Sequence, residues 1–138
     1  MDSKKLLIID DCRITTLLLR HILVKINVES DSAPTGEAGV ELAKRNQYPL
    51  VFIDVVLPGI DGFEVCRRLR EYQFERRPRL ILVTNMGEHF PHSRVSEVGA
   101  DGHFFKPVVP SQIISVVRET LSEGEEAPVS RQKEETTG

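Results

Sequence analysis

Three aspartates and a lysine follow short apolar runs in this chain of 138 residues. The runs are LLIID at 6–10, LVFID at 50–54, LILVT at 80–84 and FFK at 104–106. Each run is rich in aliphatic or aromatic residues and ends in a polar residue, which is typical of buried strands. Ligands of open parallel sheets bind outside the carboxyl ends of the strands. We therefore predict that this edge of the sheet gathers one group of side chains: Asp10, Asp11, Asp54, Thr84 and Lys106.

Adjacent carboxylates that face a third carboxylate repel it unless a cation lies between them. Mg²⁺ suits such a group because it prefers oxygen ligands and takes one or two carboxylates together with phosphate oxygens. The sequence therefore predicts a Mg²⁺ site, with Mn²⁺ as a possible substitute. Asp11 and Asp54 are the predicted direct ligands, and Asp10 binds directly or through water. The backbone carbonyl of Val56 completes the protein's share.

Phosphoryl transfer is the chemistry that this group favours. A phosphoryl group on Asp54 would have Mg²⁺, the ammonium of Lys106 and the hydroxyl of Thr84 around its oxygens. Such surroundings supply the positioning and charge neutralisation that phosphoryl transfer needs. Asp54 is the predicted acceptor.

Helical patterns separate the apolar runs and set the fold class. Five strand-helix pairs within about 120 residues predict an α/β fold, a doubly wound parallel sheet covered on both faces. Three-and-four spacing predicts the inward residues of four helices: Ile14, Leu17, Leu18, His21 and Ile22 in the first, Ala38, Leu42 and Ala43 in the second, Phe63, Cys66, Leu69 and Tyr72 in the third, and Ile113, Ile114, Val117 and Leu121 in the last.

Composition indicates one ordinary globular domain, with 40% hydrophobic and 28% charged residues. Residues 1–121 are balanced in charge, so the net charge of −3 comes from 122–138. We predict a folded domain at 1–121 and an acidic flexible tail or linker at 122–138. A charged start and the lack of a long apolar stretch predict a cytoplasmic protein without membrane contact. Cys12 and Cys66 are predicted to be free thiols.

Four segments together resemble the receiver domain of two-component response regulators. They are IIDDC at 8–12, DVVLPGIDGFE at 54–64, VT at 83–84 and GADGHFFKP at 99–107, and the resemblance spans residues 4–121. It implies a flavodoxin-like sheet of strand order 2-1-3-4-5. It also implies that a histidine kinase or histidine phosphotransfer protein phosphorylates Asp54 in a phosphorelay. The output would be a protein-interaction surface, α4-β5-α5, which acts on an effector protein or a fused output domain.

The resemblance also assigns roles around the acceptor. Thr84 would turn toward the phosphoryl group while His103, at a position where an aromatic residue is usual, moves inward. Pro107 would follow a cis peptide bond that aims Lys106 into the site. Val56 and Met86 occupy positions that tune the lifetime of the phosphorylated state, and we expect slow loss of phosphate. Asn85 stands where a small residue is usual, and there it either crowds the acceptor or binds the phosphoryl group.

Two other functions compete with this interpretation. An aspartyl-phosphate phosphatase needs a second acid two residues after its nucleophile, but Val56 follows Asp54 and Cys12 follows Asp10 at that distance. An interaction module that is never phosphorylated is favoured by Asn85 alone. The chain is therefore predicted to be a phosphoacceptor with at most slow self-dephosphorylation, and not an enzyme.

The remaining polar patterns favour structural roles. Six arginines between 67 and 79 are interleaved with glutamates and lack stacking aromatic residues, so they predict a solvated face and no nucleic-acid contact. His89 and His92 are three residues apart, which predicts an exposed pair more readily than a zinc site. His21 is predicted to be buried. A structural role and a switch role both remain open for His103.

Overall fold

The parallel sheet that the sequence predicts is present, with the strand order β2-β1-β3-β4-β5. The computed structural model describes residues 5–85 and 87–125. Its strands are β1 Lys5–Ile9, β2 Glu29–Ala33, β3 Leu50–Asp54, β4 Arg79–Thr84 and β5 Gly102–Phe105. Its helices are α1 Arg13–Lys25, α2 Gly36–Arg45, α3 Gly62–Glu71, α4 Ser93–Glu97 and α5 Pro110–Glu125, with a short 3₁₀ turn at Gly87–His89. All neighbouring strands are parallel, so the α/β, flavodoxin-like prediction is confirmed.

The sheet separates two hydrophobic cores. Side chains alternate along β1, so Leu7 and Ile9 pack with α2 and α3 residues while Leu6 and Ile8 pack with α1 and α5 residues. Both faces of the central strands are apolar because helices cover both. All five residues of β3 are buried, including Asp54 at its end. The acceptor candidate is thus held by the most buried strand of the sheet.

The prediction for the inward face of α1 is confirmed for Ile22 and wrong for its other four residues. Ile14, Leu17 and Leu18 are 71%, 53% and 43% exposed, and His21 is also exposed. The buried residues of α1 are Thr15, Leu19, Ile22 and Leu23. Both faces of this helix have apolar residues at helical spacing, so periodicity alone cannot predict which face is buried. The loop after β1 orients the helix, and one apolar stripe is left exposed to solvent.

Two further inward predictions are wrong. Ala38 is exposed on α2, which buries the predicted Ala43 together with Gly36, Gly39 and Val40. Tyr72 lies just after α3 in extended backbone and is 40% exposed. Gly39 allows α2 to approach β1 closely, because a Cβ at this position would lie 2.3 Å from Cδ1 of Ile9.

Arg70 ties α3 to the loop that precedes β5. Its guanidinium donates hydrogen bonds to the carbonyls of Gly99 (2.7 Å) and Pro78 (2.9 Å). It also donates to Oδ2 of Asp101 at 2.9 Å. The same Asp101 oxygen accepts from the backbone N–H of Leu80 at 2.8 Å, which links the arginine to the start of β4. One partly buried cation therefore fixes the entry to two adjacent strands.

The last helix continues past the boundary predicted from composition. α5 ends at Glu125, so residues 122–125 of the predicted tail are helical. Residues 126–138 lie outside the described part, and the division at 121 stays a prediction. Cys12 and Cys66 are free thiols, as predicted. Among the described residues, none of the helices is both long and apolar enough to span a membrane.

Replacing Gly62 by alanine is expected to lower the free energy of unfolding by about 1–3 kcal/mol. Gly62 is the first residue of α3, and a Cβ there would lie 2.3 Å from the carbonyl oxygen of Asp54 and 2.8 Å from Cα of Val55. Backbone atoms cannot yield as a flexible side chain does. Urea unfolding should show the loss, whereas Gly102→Ala, whose Cβ would meet only Ile81 at 3.4 Å, should be nearly neutral. Equal stability of the two variants would contradict this account.

Candidate functional site

The strand ends bring three carboxylates together. Asp10 follows β1, Asp54 ends β3, and Asp11 is the next residue after Asp10. One oxygen from each lies within 4.8 Å of the others, and this is the one group of three or more potential metal-ligating residues in the described part of the chain. Asp10 and Asp54 are each 5% exposed, whereas Asp11 is exposed. The predicted acidic group therefore exists and opens to solvent on the Asp11 side.

Backbone N–H groups orient the two buried carboxylates. Oδ1 of Asp10 accepts a hydrogen bond from the N–H of Cys12 at 2.8 Å. Oδ1 of Asp54 accepts a longer one from the N–H of Val56 at 3.4 Å. In each case the donor is two residues further along the loop, so the turn after the strand directs the carboxylate. The second oxygen of each carboxylate faces Lys106.

Lys106 lies between the two buried carboxylates. Its Nζ is 3.1 Å from Oδ2 of Asp10 and 3.4 Å from Oδ2 of Asp54. Its backbone N–H donates to the carbonyl of Thr84 at 2.8 Å, and the Lys106–Pro107 peptide bond is cis, as the resemblance implies. Burial lowers the pKa of this amine, but the charges of Asp10 and Asp54 outweigh it and the pKa is raised. The ammonium stays charged.

The Asp54 carboxyl has a pKa raised to about 6, first by burial and then by the charge of Asp10. Lys106 and the N–H of Val56 act in the opposite direction and compensate only in part. The site thus holds more negative charge than its own lysine neutralises. A hard divalent cation with oxygen ligands would relieve that repulsion, so these residues fit the predicted Mg²⁺.

The Asp54 carboxyl makes stability depend on pH. Its pKa in the folded chain lies above the ordinary value of 3.8, so folding favours the protonated form. The stability that this group contributes is full below an unfolded-state pKa of about 4 and is lost as the pH rises through about 6. In metal-free buffer at about pH 7.5, Asp54→Asn should therefore be more stable than the wild type by about 2 kcal/mol.

Urea unfolding of both proteins at several pH values checks this expectation. The difference between them should shrink as the pH falls to about 5, because Asp54 is then largely protonated in the folded wild type. Taking the difference cancels the titration of groups that are distant from Asp54. A difference that stays constant across the range would contradict the assigned cause.

The residues predicted to affect lifetime and access lie at the mouth of the site where the structure describes them. Asn85 and Val56 line a cleft of about 490 Å³ together with Asp11, Asp54 and Lys106, and we call it the acidic cleft. Asn85 is exposed, and Val56 is 61% exposed. Thr84 ends β4 and is fully buried. Met86 lies outside the described residues.

The acidic cleft has an apolar rim that the sequence interpretation missed. Ile14, Leu18 and Val56 line the cleft, and Leu17 lines an adjoining groove with Asp10 and Asp11. We call these four residues, Ile14, Leu17, Leu18 and Val56, the apolar rim. Each is at least 43% exposed. The sequence contained a signal for this rim, because α1 has apolar residues on two faces and the core buries only one of them.

His103 belongs to a group of rings beside β5. Its ring centre lies 4.7 Å from that of Phe90, 5.3 Å from Phe105 and 5.0 Å from His92. We call Phe90, His92, His103 and Phe105 the ring cluster. Phe90 is buried, His103 is partly buried, and His92 and Phe105 are exposed. Burial, followed by the charge of His92, lowers the pKa of His103, so its imidazole is neutral at neutral pH.

Comparisons with known proteins agree with this arrangement. The sequence model of the response regulator receiver domain matches residues 6–118. Transcriptional regulatory protein ResD of Bacillus subtilis (strain 168) is 31% identical over 120 residues, 87% of this chain and 49% of ResD. A crystal structure described as a response regulator from Chloroflexus aurantiacus J-10-fl has a TM-score of 0.80 and 27% identity, covering 88% of this chain and 100% of that one.

A second structure shows the same fold at lower sequence identity. It is the receiver domain of sensor histidine kinase PA1611 from Pseudomonas aeruginosa PAO1, with a TM-score of 0.80 and 18% identity, covering 88% of this chain and 100% of that one. That protein has a magnesium ion coordinated in its active site cleft.

The chain belongs to the response regulator receiver domain family. Its predicted fold class and strand order are those of the structures it resembles. It spans about half the length of the curated relatives it matches. The share is 49% of ResD and 48% of the transcriptional regulatory protein SrrA of Staphylococcus aureus (strain NCTC 8325 / PS 47).

Proposed function

We propose that this chain is a phosphorylation-driven switch of the cytoplasm. Asp54 accepts a phosphoryl group from a histidine kinase or a histidine phosphotransfer protein, and the change alters a protein-interaction surface. One observation supports this above all: the buried carboxylate of Asp54 lies 3.4 Å from the ammonium of Lys106 and beside two further carboxylates. A purely structural ion pair has no need of the third acid.

Mg²⁺ is the cofactor that we assign to the acidic cleft, with Mn²⁺ as a substitute. Asp10, Asp11 and Asp54 would hold it, with the backbone carbonyl of Val56 as a further ligand. When bound, it keeps the Asp54 carboxylate ionised and neutralises charge on the phosphoryl oxygens. The raised pKa of Asp54 supports this assignment, because burial and then the charge of Asp10 disfavour the carboxylate, and a bound cation would offset both.

The transfer itself needs little from the protein beyond position and charge. An oxygen of the Asp54 carboxylate bonds to phosphorus while the bond from phosphorus to the donor's imidazole nitrogen breaks, and the electron pair leaves with that nitrogen. The product is an acyl phosphate on Asp54. Lys106 then moves its ion pair from the carboxylate to a phosphoryl oxygen, and Thr84 donates its hydroxyl hydrogen to another.

The state of Asp54 is passed on through Thr84 and His103. Thr84 ends β4, and His103 lies on β5 directly beside Leu82, two residues earlier on β4. A turn of Thr84 toward the phosphoryl group frees space that the ring of His103 fills from the surface. The altered surface is the α4-β5-α5 face, which acts on an effector protein or a fused output domain.

The phosphorylated state should last, because neither Val56 nor Asn85, the described residues predicted to tune it, can take a proton from an attacking water. Val56 is apolar and Asn85 is a neutral amide, so neither supplies a general base. The chain is therefore a phosphoacceptor with slow self-dephosphorylation and not an enzyme. Met86 is proposed to tune the same lifetime.

The apolar rim is proposed as the docking site of the phosphodonor protein. Exposed apolar residues grouped around a polar site mark protein contacts more often than chance exposure does. Ile14 and Leu18 line the cleft itself, so a donor helix that packs on them would bring its phosphohistidine over Asp54. Arg13 and Arg20 flank the same face of α1 and favour an acidic border on that donor.

Intact-protein mass spectrometry after incubation with acetyl phosphate tests the proposal. We expect one phosphoryl adduct per chain in the presence of Mg²⁺ and none after the divalent cation is removed with EDTA. The adduct should then be stable to removal of acetyl phosphate for many minutes.

A chain that acquires no adduct from acetyl phosphate or from any phosphohistidine donor would contradict the proposal. It would favour the interaction module that is never phosphorylated. In such a module, exposed Asn85 at the mouth of the cleft would block access to Asp54. An adduct that forms equally without Mg²⁺ would contradict the cofactor assignment.

A further inference from the structure

The ring cluster brings two imidazoles into edge-to-face contact. His92 precedes α4 and is exposed, and His103 lies on β5 and is partly buried. Their ring centres are 5.0 Å apart, with an angle of 76° between the ring planes. The two residues are eleven positions apart in the chain and belong to different elements, so only the fold brings them together.

The spacing of the two rings matches a shared metal ion. Imidazole nitrogen binds zinc at about 2.0–2.1 Å, so two such rings on one ion at right or tetrahedral angles have centres about 4.5–5.2 Å apart. The observed 5.0 Å lies within that span. The backbones need not move, and rotation about the side-chain bonds of exposed His92 is enough to aim a nitrogen.

The surroundings keep His103 in the form that binds a metal. Neutral imidazole is the ligand, and burial among aromatic rings together with the neighbouring His92 favours neutral His103. Phe90 stacks on the ring of His103, and Phe105 meets that ring edge to face. Because a ring that is already ordered loses less entropy on binding, His103 is the fixed ligand and exposed His92 turns to meet the ion.

We propose that His92 and His103 form a second metal site, distinct from the acidic cleft, that takes a divalent cation with a preference for nitrogen ligands, such as Zn²⁺, Ni²⁺ or Cu²⁺. Water completes the coordination, since no third histidine, cysteine or acid within the described ranges joins the pair. Mg²⁺ does not compete because it requires oxygen ligands.

An ion at this site would join the start of α4 to β5. His103 would then be held at the surface, while the switch proposed above needs it to move inward. This consequence rests on the proposed function, but the binding site does not. The site would let a transition metal oppose the phosphorylated state from a position outside the acidic cleft.

Isothermal titration of the unphosphorylated full chain with Zn²⁺, in the presence of saturating Mg²⁺, tests the site. We expect one Zn²⁺ per chain in the wild type, and affinity at least about tenfold weaker in His92→Ala and in His103→Phe, since each removes one of the two ligands. His103→Phe keeps a planar ring in the cluster. His21→Ala, which removes an exposed histidine from α1, should bind as the wild type does.

Two further measurements test the same site. Cu²⁺ bound to the wild type should give an electron paramagnetic resonance spectrum with coupling to two nitrogens, and to one in His92→Ala. Zn²⁺ affinity should fall as the pH is lowered below the ordinary imidazole pKa of about 6.5. Unchanged affinity in both variants, or displacement of Zn²⁺ by added Mg²⁺, would overturn the proposal. Because phosphorylation is not involved, failure of the proposed function would leave this result unaffected.

Discussion

Asp54→Asn should acquire no phosphoryl adduct under conditions that label the wild type fully. Asparagine keeps the size of the side chain and one oxygen, but its neutral amide is far too weak a nucleophile to attack phosphorus. The remaining carboxylates do not replace it, because Asp10 is turned toward the N–H of Cys12 and Lys106. Intact-protein mass after incubation with acetyl phosphate and Mg²⁺ gives the result directly.

Asp61→Asn is the matched control for this variant. Asp61 caps α3 through a hydrogen bond from the N–H of Glu64 at 2.9 Å, and asparagine caps a helix equally well. That variant should be labelled at the wild-type rate. If Asp54→Asn were still labelled to the same extent, another side chain would be the acceptor and the assignment of Asp54 would be wrong.

Removing two residues of the apolar rim should slow transfer from a protein donor while leaving the small-molecule reaction intact. Ile14→Ala combined with Leu18→Ala removes apolar area that docking would bury and adds no charge beside Asp11. Truncation of central interface residues commonly costs about 2 kcal/mol, which is about 30-fold in affinity. We therefore expect transfer from a phosphohistidine donor to fall by about 10- to 100-fold at low protein concentration.

The comparison needs a donor and two controls. The donor is the histidine kinase or phosphotransfer protein that labels the wild type fastest when candidates are assayed side by side. Labelling by acetyl phosphate shows whether the acidic cleft of the double variant is intact. Val24→Ala removes an apolar side chain that is 60% exposed at the far end of α1, and it should transfer normally. A double variant as fast as the wild type with the protein donor would exclude the rim as a docking site.

The acidic cleft could be predicted from the sequence because strand ends are local signals. Each of its residues closes an apolar run, and a parallel sheet must bring such ends to one edge. The approach of Lys106 to both buried carboxylates follows from that geometry. The cis bond before Pro107 had a different origin: it came from the resemblance, and the run of residues alone does not predict it.

The rotation of α1 could not be predicted in the same way. Periodicity identifies the helix, but two apolar stripes fit it equally, and the choice depends on the turn at 10–12 and on contacts with α5. His21 lies on the exposed stripe, so the prediction that it is buried fails for the same reason. Tyr72 was assigned to α3 by spacing, although the helix ends at Glu71. These errors share one cause, since tertiary packing decides which of several local patterns is buried.

The contact between His92 and His103 could not be predicted from the sequence either. Sequence spacing relates only residues that are close in the chain, so it pairs His92 with His89, three residues before it. The fold pairs it instead with a strand residue, through the short segment between β4 and α4. A ring contact of this kind depends on loop geometry, for which one sequence offers no periodic signal.

Phe90 has a further consequence for how the protein can be observed. Its ring is 4% exposed and packs within the same core as Phe63, yet its other face stacks on His103 at 4.7 Å. Protein interiors are close-packed, so a ring that leaves or enters such a stack alters the packing energy of that core. The melting temperature of the unlabelled protein is therefore sensitive to the position of His103. Because a bound ligand itself raises the melting temperature by mass action, the wild type and His103→Phe are compared at the same ligand concentration. The difference between their shifts could follow the switch without a partner protein or a fluorescent tag.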